Sequence, residues 1–530
     1  MARSLIRLHN IRVPFGAPED AIRAAAAGKV GIAPAQLDDF RIVRRSLDAR
    51  AAPAVSQVYT VEFTGKESLI EGLPPNEAAV AAPVEYAPPE SGDENLPRPP
   101  LVVGAGPAGL FAAMTLAENG YAPVIVERGK PVEARSVDVR SLVARGEVDP
   151  DSNILFGEGG AGAFSDGKLT TRISDPHIAL VLETLVRCGA PESILIDARP
   201  HIGSDLLPGV VANIHRRIEA AGGRFRFGFR VEGLVLDEGG GAAGVRALGG
   251  EQIDAGAVIL AAGNWADELI ARLHENGAAI EAKPFQMGVR IEHPQRIIDR
   301  AVYRGGRGDL PPAEYVFSAQ PRGARGVATF CMCPGGVIVP AVAREGRLAV
   351  NGASPAARDG AFANAALVVT VKPGECPGGG PLAGLSFQQA LEQEAFEVAG
   401  DYRAPAQGAA DFIAGRRSAQ LPECSYPLGI VSHELGELLP RLLTDALRKA
   451  LPEFDRRLPG FIEHGLLVAM ETRASSAVLI LRDRETHESL STPRLYPAGE
   501  GAGYAGGITS SAVDGIRTAQ LIIRRFAPSR

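Results

Sequence analysis

Hydrophobic and polar positions along the chain fall into five regimes. Apolar and polar residues alternate over Ser4 to Val13, Phe40 to Arg44 and Val58 to Phe63, a period of two that predicts half-buried strands. The Ala-rich stretch Pro18 to Lys29 between the first two reads as a helix, so residues 1–70 are expected to form a small α+β domain. From 71 to 100 the pattern dissolves into eight prolines, six acids and one basic residue, the composition of an extended linker. Leu101-Val102-Val103 is then an uninterrupted apolar run, followed by a helical pattern from Phe111 to Glu118 and a second run, Val124-Ile125-Val126. Between Asn264 and about 465 strand and helix patterns mix: Lys283 to His293 alternates before Pro294, Val327 to Cys333 is strand-like, and Ser386 to Val398 and Leu435 to Leu451 have helical spacing. A strand, a Gly-rich turn and a helix close the chain between Arg494 and Arg524.

The turn between the first apolar run and its helix is Gly104-Ala105-Gly106-Pro107-Ala108-Gly109, a G-x-G-x-x-G in a β-α-β context. Gly104 permits the tight turn, Gly106 lets a pyrophosphate approach the backbone, and Gly109 lets helix pack on strand. The helix start, with Pro107 and Ala108, presents unpaired N–H groups to phosphate. Glu127, followed by Arg128, sits at the end of the second run, where a carboxylate accepts hydrogen bonds from ribose hydroxyls. These residues predict a dinucleotide site.

Three later segments complete it. The loop with Gly157, Gly159, Gly160, Ala161 and Gly162 exposes backbone able to wrap a flat or anionic ligand, and Phe156 and Phe164 anchor it; the competing reading is a flexible surface loop. The strand Ala257 to Leu260 runs into a small-residue turn at Ala262 and Gly263. Near the C-terminus, Gly499 and Glu500 follow a strand, and Gly506, Gly507 and Ile508 open a helix whose N-terminus would stabilise negative charge at a flavin's N1–C2 carbonyl edge. With no second G-x-G-x-x-G after a strand, the pair of segments favours FAD over NAD as the resident cofactor. NAD(P)H is then a candidate for a transient electron donor. The expected architecture is α/β: an FAD-binding doubly wound (glutathione-reductase-type) domain over 101–265 and 466–530, and an inserted α+β substrate domain over 266–465.

Composition narrows the class. The chain is 45% hydrophobic and 22% charged with a formal net charge of −7, which suits a globular protein and does not favour nucleic acid. Its start lacks the apolar core of a signal peptide, no run reaches membrane-spanning length, and five cysteines do not suggest a disulfide framework. A cytoplasmic FAD-dependent oxidoreductase acting on a small-molecule substrate is expected, the rival being a flavoprotein with structural or non-redox FAD whose N-terminal domain docks an RNA or protein partner. Residues 1–70 are mildly basic, with arginines at 44, 45 and 50 near Asp48; this is either a docking surface for RNA or protein, or a solvated strand end with a local ion pair.

Taken in order, Arg44 to Arg50, Gly104 to Gly109, Phe156 to Lys168, Pro200 to Gly203, Gly288 to Gln295, Phe330 to Gly336 and Tyr496 to Gly507 give the chain its resemblance to the uncharacterised FAD-dependent dehydrogenase family, also labelled NAD(FAD)-utilising dehydrogenases. The resemblance implies non-covalent FAD, a two-dinucleotide-domain type of fold with an inserted domain, and Glu471 to Ser476 lining the flavin side. It implies little about substrate. The family usually continues from Gly263 with a His-Ser type turn, where this chain has Asn264-Trp265.

For catalysis, His201 and His293 are candidate proton carriers, each against the alternative of a structural histidine. Arg290 could hold a substrate carboxylate bidentately or pair with Glu292. Cys331 and Cys333 form a C-x-C whose alternation on a strand would put both thiols on one face, as a redox pair or as packed thiols. The remaining cysteines lack metal-ligand spacing, and no metal is expected.

Overall fold

The computed structural model describes residues 3–82 and 86–528. Its N-terminal unit is an antiparallel sheet in the order Asp38–Asp48, Ser56–Gly65, Ser4–Pro14, Ala78–Val80, packed with the helix Glu19–Val30. Ile6 and Leu8 point into the core, and so do Ile11 and Val13. Their parity differs because the register shifts between Leu8 and Ile11, where Asn10 takes a left-handed φ of 59°. This bulge keeps one face apolar along the whole strand. On the polar face Glu62 holds both Arg7 and Arg41, and Asp48 holds both Arg12 and Arg50.

Arg45 ties this unit to the next. Its N–H donates to the Ile196 carbonyl, its carbonyl accepts from Ala198, and its guanidinium pairs with Asp197 at 2.7 Å. Of the arginines at 44, 45 and 50, Arg45 and Arg50 are therefore compensated within the chain, while Arg44 joins no ion pair among the described residues.

The stretch expected to be a linker, 71–100, carries structure. Ala78–Val80 is the fourth strand on Ser4–Pro14, and the N–H groups of Gly92 and Glu94 bond to the carbonyls of Ile523 and Arg525. Leu96 is buried, and the described residues of this acidic, Pro-rich segment, which exclude 83–85, are held by main-chain bonds that need no apolar periodicity.

The second unit is a parallel five-stranded sheet in the order Leu495–Pro497, Val258–Leu260, Leu101–Val103, Val124–Val126, Arg224–Arg226. A three-stranded antiparallel sheet, Gln252–Asp254, Ala242–Ala247 and Val231–Leu236, is added to it. The helix Pro107–Glu118 is buried along most of its length because a second helix, Ile508–Arg525, packs against it. Glycine is required at two contacts. A Cβ on Gly109 would overlap the Gly104 carbonyl, and one on Gly515 would overlap the Ala108 carbonyl.

The third unit is a seven-stranded sheet ordered Ser318–Ala319, Val327–Cys333, Phe362–Val371, Phe285–Pro294, Leu466–Glu471, Ala404–Gly408, Ile430–Ser432. Leu466–Glu471, expected with the cofactor-binding segment, belongs here, pairing with Phe285–Pro294 and Ala404–Gly408. Its six residues are all buried, a both-faces pattern that sequence cannot assign to one sheet or another. The amphipathic helix Arg441–Arg457 packs Leu443, Leu447, Leu451 and Phe454 into the same core. Among the described residues no helix is long and apolar enough to cross a membrane.

Gly515→Ala is expected to lower the thermal midpoint by several degrees, since forcing a methyl against backbone costs about 1–3 kcal/mol. Gly209→Ala, in a helix where nothing lies within 4 Å of the added carbon, should leave it unchanged or slightly raised. Paired melting curves of the two variants provide the check.

Candidate functional site

The phosphate-type turn forms as the close packing demands. Gly104 has φ +98°, and a side chain there would overlap the Ala261 carbonyl from the neighbouring strand. Glu127 accepts N–H bonds from Ala105 (2.9 Å), Gly129 (3.0 Å) and Gly157 (3.1 Å), joining turn, strand end and Gly-rich loop. That loop is built rather than floppy. Fully buried Arg135 donates to the carbonyls of Asn153, Gly157 and Glu158, and Gly159 donates to Ala105. Glu158 in turn accepts from the Val132 N–H and lies 2.5 Å from His215 Nδ1. Arg128 stacks over the Phe156 ring at 3.8 Å and pairs with Asp151.

A cavity of about 480 Å³ runs from this cradle to the seven-stranded sheet. Gly104, Gly106, Pro107, Ala108, Glu127, Arg128, Gly157, Gly160, Ala161, Gly162, Ala262, Gly263, Gly499, Glu500, Gly506, Gly507 and Ile508 all line it. Gly109 and Gly159 stand behind the wall, one serving helix packing and the other bonding to Ala105.

The C-terminal turn is anchored from below. Asp514 accepts from the Gly499 N–H at 2.7 Å and pairs with Arg482, whose guanidinium lies over the Tyr504 ring. Glu500 is reached by Asn264 Nδ2 at 3.3 Å. Burial pushes its carboxyl up to about 7, opposed by the Asn264 hydrogen bond and by Lys283. Asn264 Oδ1 is buried with no partner among the described residues. Beside it Trp265, which also lines the cavity, carries the guanidinium of Arg473 at 4.5 Å. Arg473 is clamped by Asp267 (2.7 Å) and Glu392 (2.8 Å), so the Asn264-Trp265 turn is locked onto the inserted sheet.

At the sheet end the wall includes Phe330, Cys331, Asn351, Glu471 and Ala474. Behind them Arg290 is fully buried and spends all five of its N–H groups: Nε on Asn364 (2.9 Å), Nη1 on Asn351 (3.1 Å) and Glu471 (2.6 Å), Nη2 on the Cys331 carbonyl (2.8 Å) and Cys333 Sγ (3.8 Å). Arg290 therefore has no fork left for a substrate carboxylate, and its ionic partner is Glu471 rather than Glu292, which binds Ser425. Burial pushes the Glu471 carboxyl up, with Arg290 and Lys168 opposing.

Three other catalytic candidates move away from the wall. His293 is fully buried, bonded to the Phe461 carbonyl at 2.8 Å beside Tyr315, and burial holds its imidazole down at about 4. The alternation of its strand carried it to the closed face. His201 lies off the cavity, Nε2 3.2 Å from the Ala356 carbonyl, in a backbone bridge with Lys168. Cys333 is buried with Lys168 Nζ 3.4 Å from its sulfur. The shared thiol face does not form, because Cys331 takes φ +44° at a register shift between Phe330 and Cys333. Cys331 alone reaches the cavity, with burial pushing its thiol up to about 12. Among the described residues no group of three His, Cys, Asp or Glu is placed to hold a metal.

Sequence reasoning missed Asn351 and the rim residues Arg230, Glu232, Glu268 and Arg272. None sits in a motif, and only the folded sheet order brings them together.

Residues 284–474 match the family model described as FAD-dependent protein, C-terminal domain-like. Residues 208–325 match FAD dependent oxidoreductase, residues 100–138 an FAD binding domain, and residues 5–64 a domain of unknown function. An uncharacterized protein of Clostridium beijerinckii is 40% identical, spanning 98% of this chain and 99% of its own. The chain belongs to this family of FAD-dependent oxidoreductases. More distant likeness extends to glycine oxidase from Geobacillus kaustophilus, at 12% identity over 82% of this chain and 96% of that one with TM-score 0.35. Fructosyl amine: oxygen oxidoreductase from Aspergillus fumigatus stands at 13% over 82% and 88%, with TM-score 0.35.

FAD is the family's cofactor, and the cradle of this oxidoreductase fits it. Backbone at Gly106 is open to the cavity, a helix N-terminus faces inward, and the buried Asn264 Oδ1 has no partner among the described residues.

Two measurements probe the site. A glutamate that ionises near 4.5 when unfolded and near 7 when folded keeps its proton longer in the fold, so its contribution to stability declines as pH rises through that window. Glu500→Gln should therefore lose less stability than wild type between pH 5 and pH 8, read from urea unfolding at both. Cys331 should resist alkylation by iodoacetamide at pH 8 in the folded protein and react on unfolding, as mass spectrometry of the labelled peptide would report.

Proposed function

We propose that this oxidoreductase binds FAD lengthwise in the cavity and acts on a small molecule at the sheet end. The single observation that carries the reading is the continuity of one cavity wall, from Gly104 and Glu127 through Gly499 and Glu500 to Cys331 and Glu471. Bound FAD supplies a two-electron centre. The helix N-terminus after Gly106 receives the pyrophosphate, and Glu127 faces the ribose of the AMP half. Asn264, Glu500 and the helix start at Gly507 hold the other half. Trp265 and Phe330 keep water from the sheet end, and Glu471, oriented by Arg290, is the carboxylate available there to hold a proton.

The parallel sheet with its three-stranded antiparallel addition supports a glutathione-reductase-type arrangement. The division into an N-terminal unit, a cofactor-binding unit and an inserted substrate unit rests on the separate four-, five- and seven-stranded sheets, with Leu466–Glu471 assigned to the last. Five free cysteines accord with a reducing, cytoplasmic setting. Arg45 and Arg50 are paired internally, which favours a strand end with local ion pairs over a docking surface for RNA or protein.

The purified protein should be yellow, and its flavin absorbance should bleach anaerobically with NADH, NADPH or a member of a metabolite panel. A flavin that none of these bleaches, and whose removal merely unfolds the chain, would overturn the proposal.

A further inference from the structure

Resting on the reading that the cavity takes FAD and a small substrate, we propose that its sheet end grips the substrate by one uncharged heteroatom group, a hydroxyl or a neutral amine. Glu471 Oε1 accepts that group's hydrogen, and Asn351 Nδ2 donates to its lone pair.

The arrangement follows from how Arg290 spends its hydrogens. Its Nη1 donates both to Asn351 Oδ1 and to Glu471 Oε2, so one buried cation orients two cavity-lining side chains. The Gly352 N–H also donates to Asn351 Oδ1 at 2.7 Å. Two donors fix which end of that amide is oxygen, and its Nδ2 is left as a donor. Glu471 Oε1 has no protein donor among the described residues, while Oε2 is occupied. A carboxylate and an amide N–H thus meet at one wall, held by the same guanidinium from behind.

The charges around the pair select against ions. An anionic group would meet the Glu471 carboxylate, and Arg290 has no free N–H to offset it. An ammonium would meet a carboxylate already paired with Arg290, with Lys168 also near enough to act on it. Cys331, the remaining reactive side chain at this wall, is a protonated thiol. A neutral group that both donates and accepts satisfies both partners, and an apolar replacement leaves them unpaired.

FAD-loaded protein titrated at pH 8 with benzyl alcohol, aniline, benzoate and benzylammonium, followed by the shift in flavin absorbance, tests this. Benzyl alcohol or aniline should bind roughly tenfold or more tightly than either ion, and which of the two leads identifies hydroxyl or amine. Glu471→Gln turns its amide oxygen toward Arg290 and presents a donor to the cavity, so affinity for the favoured probe should fall about tenfold or more at unchanged flavin content. Asn351→Ala should weaken it in the same direction, and it leaves Glu471 in place should the first variant fold poorly. Equal or tighter binding of benzoate or benzylammonium, no shift with either neutral probe, or unchanged affinity in both variants would overturn the inference while the FAD reading stands. A protein that neither carries nor takes up FAD would overturn both.

Discussion

Backbone touching backbone is the constraint on which the molecule depends. Strand Leu101–Val103, helix Pro107–Glu118 and helix Ile508–Arg525 stack so closely that Gly109 lies on the Gly104 carbonyl and Gly515 on the Ala108 carbonyl. That closeness aims the helix start at the cavity and fixes where the C-terminal turn from Gly499 to Gly507 must pass. Two ends of the chain, about 400 residues apart, thereby form one wall. The strand Val258–Leu260 completes the joint by pairing with Leu101–Val103 on one side and Leu495–Pro497 on the other.

Around this frame, buried arginines do the organising. Arg135 holds the Gly-rich loop by three carbonyls, Arg473 holds the Asn264-Trp265 turn to the sheet by two carboxylates, and Arg290 holds the sheet end by two asparagines, a glutamate and two cysteines. A buried guanidinium is costly unless its hydrogens are satisfied, and losing one partner leaves a charge exposed to low dielectric. Each of these arginines therefore ties several segments into one geometry. The site inherits its rigidity from buried charges, of which Arg473 also lines the cavity.

The resulting cavity is chemically graded. Its cradle end is glycine backbone with one carboxylate, Glu127, already shared among three N–H groups. The middle holds Glu500 with a carboxyl pushed toward neutrality and an amide oxygen that has no partner among the described residues. At the sheet end a carboxylate and an amide are oriented from behind. A dinucleotide-type cofactor and a small neutral group call for those environments in that order.

Local physics determined a good part of this in the sequence itself. The Gly104 to Gly109 turn, Glu127, the Gly-rich loop and the Gly499 to Gly507 turn were legible, because a close backbone approach admits only glycine and a strand-end acid has a defined place. Strands and helices with strong periodicity, such as Ser4–Pro14 and Ile508–Arg525, were legible for the same local reason. Tertiary structure alone decided which side chains face the cavity at the sheet end. A single bulge at Cys331 broke the alternation, an all-buried strand at Leu466–Glu471 joined the inserted sheet, and Arg290 met Glu471 across 181 residues. Register and long-range charge pairing are settled by the packed sheet as a whole, and no window of sequence contains them.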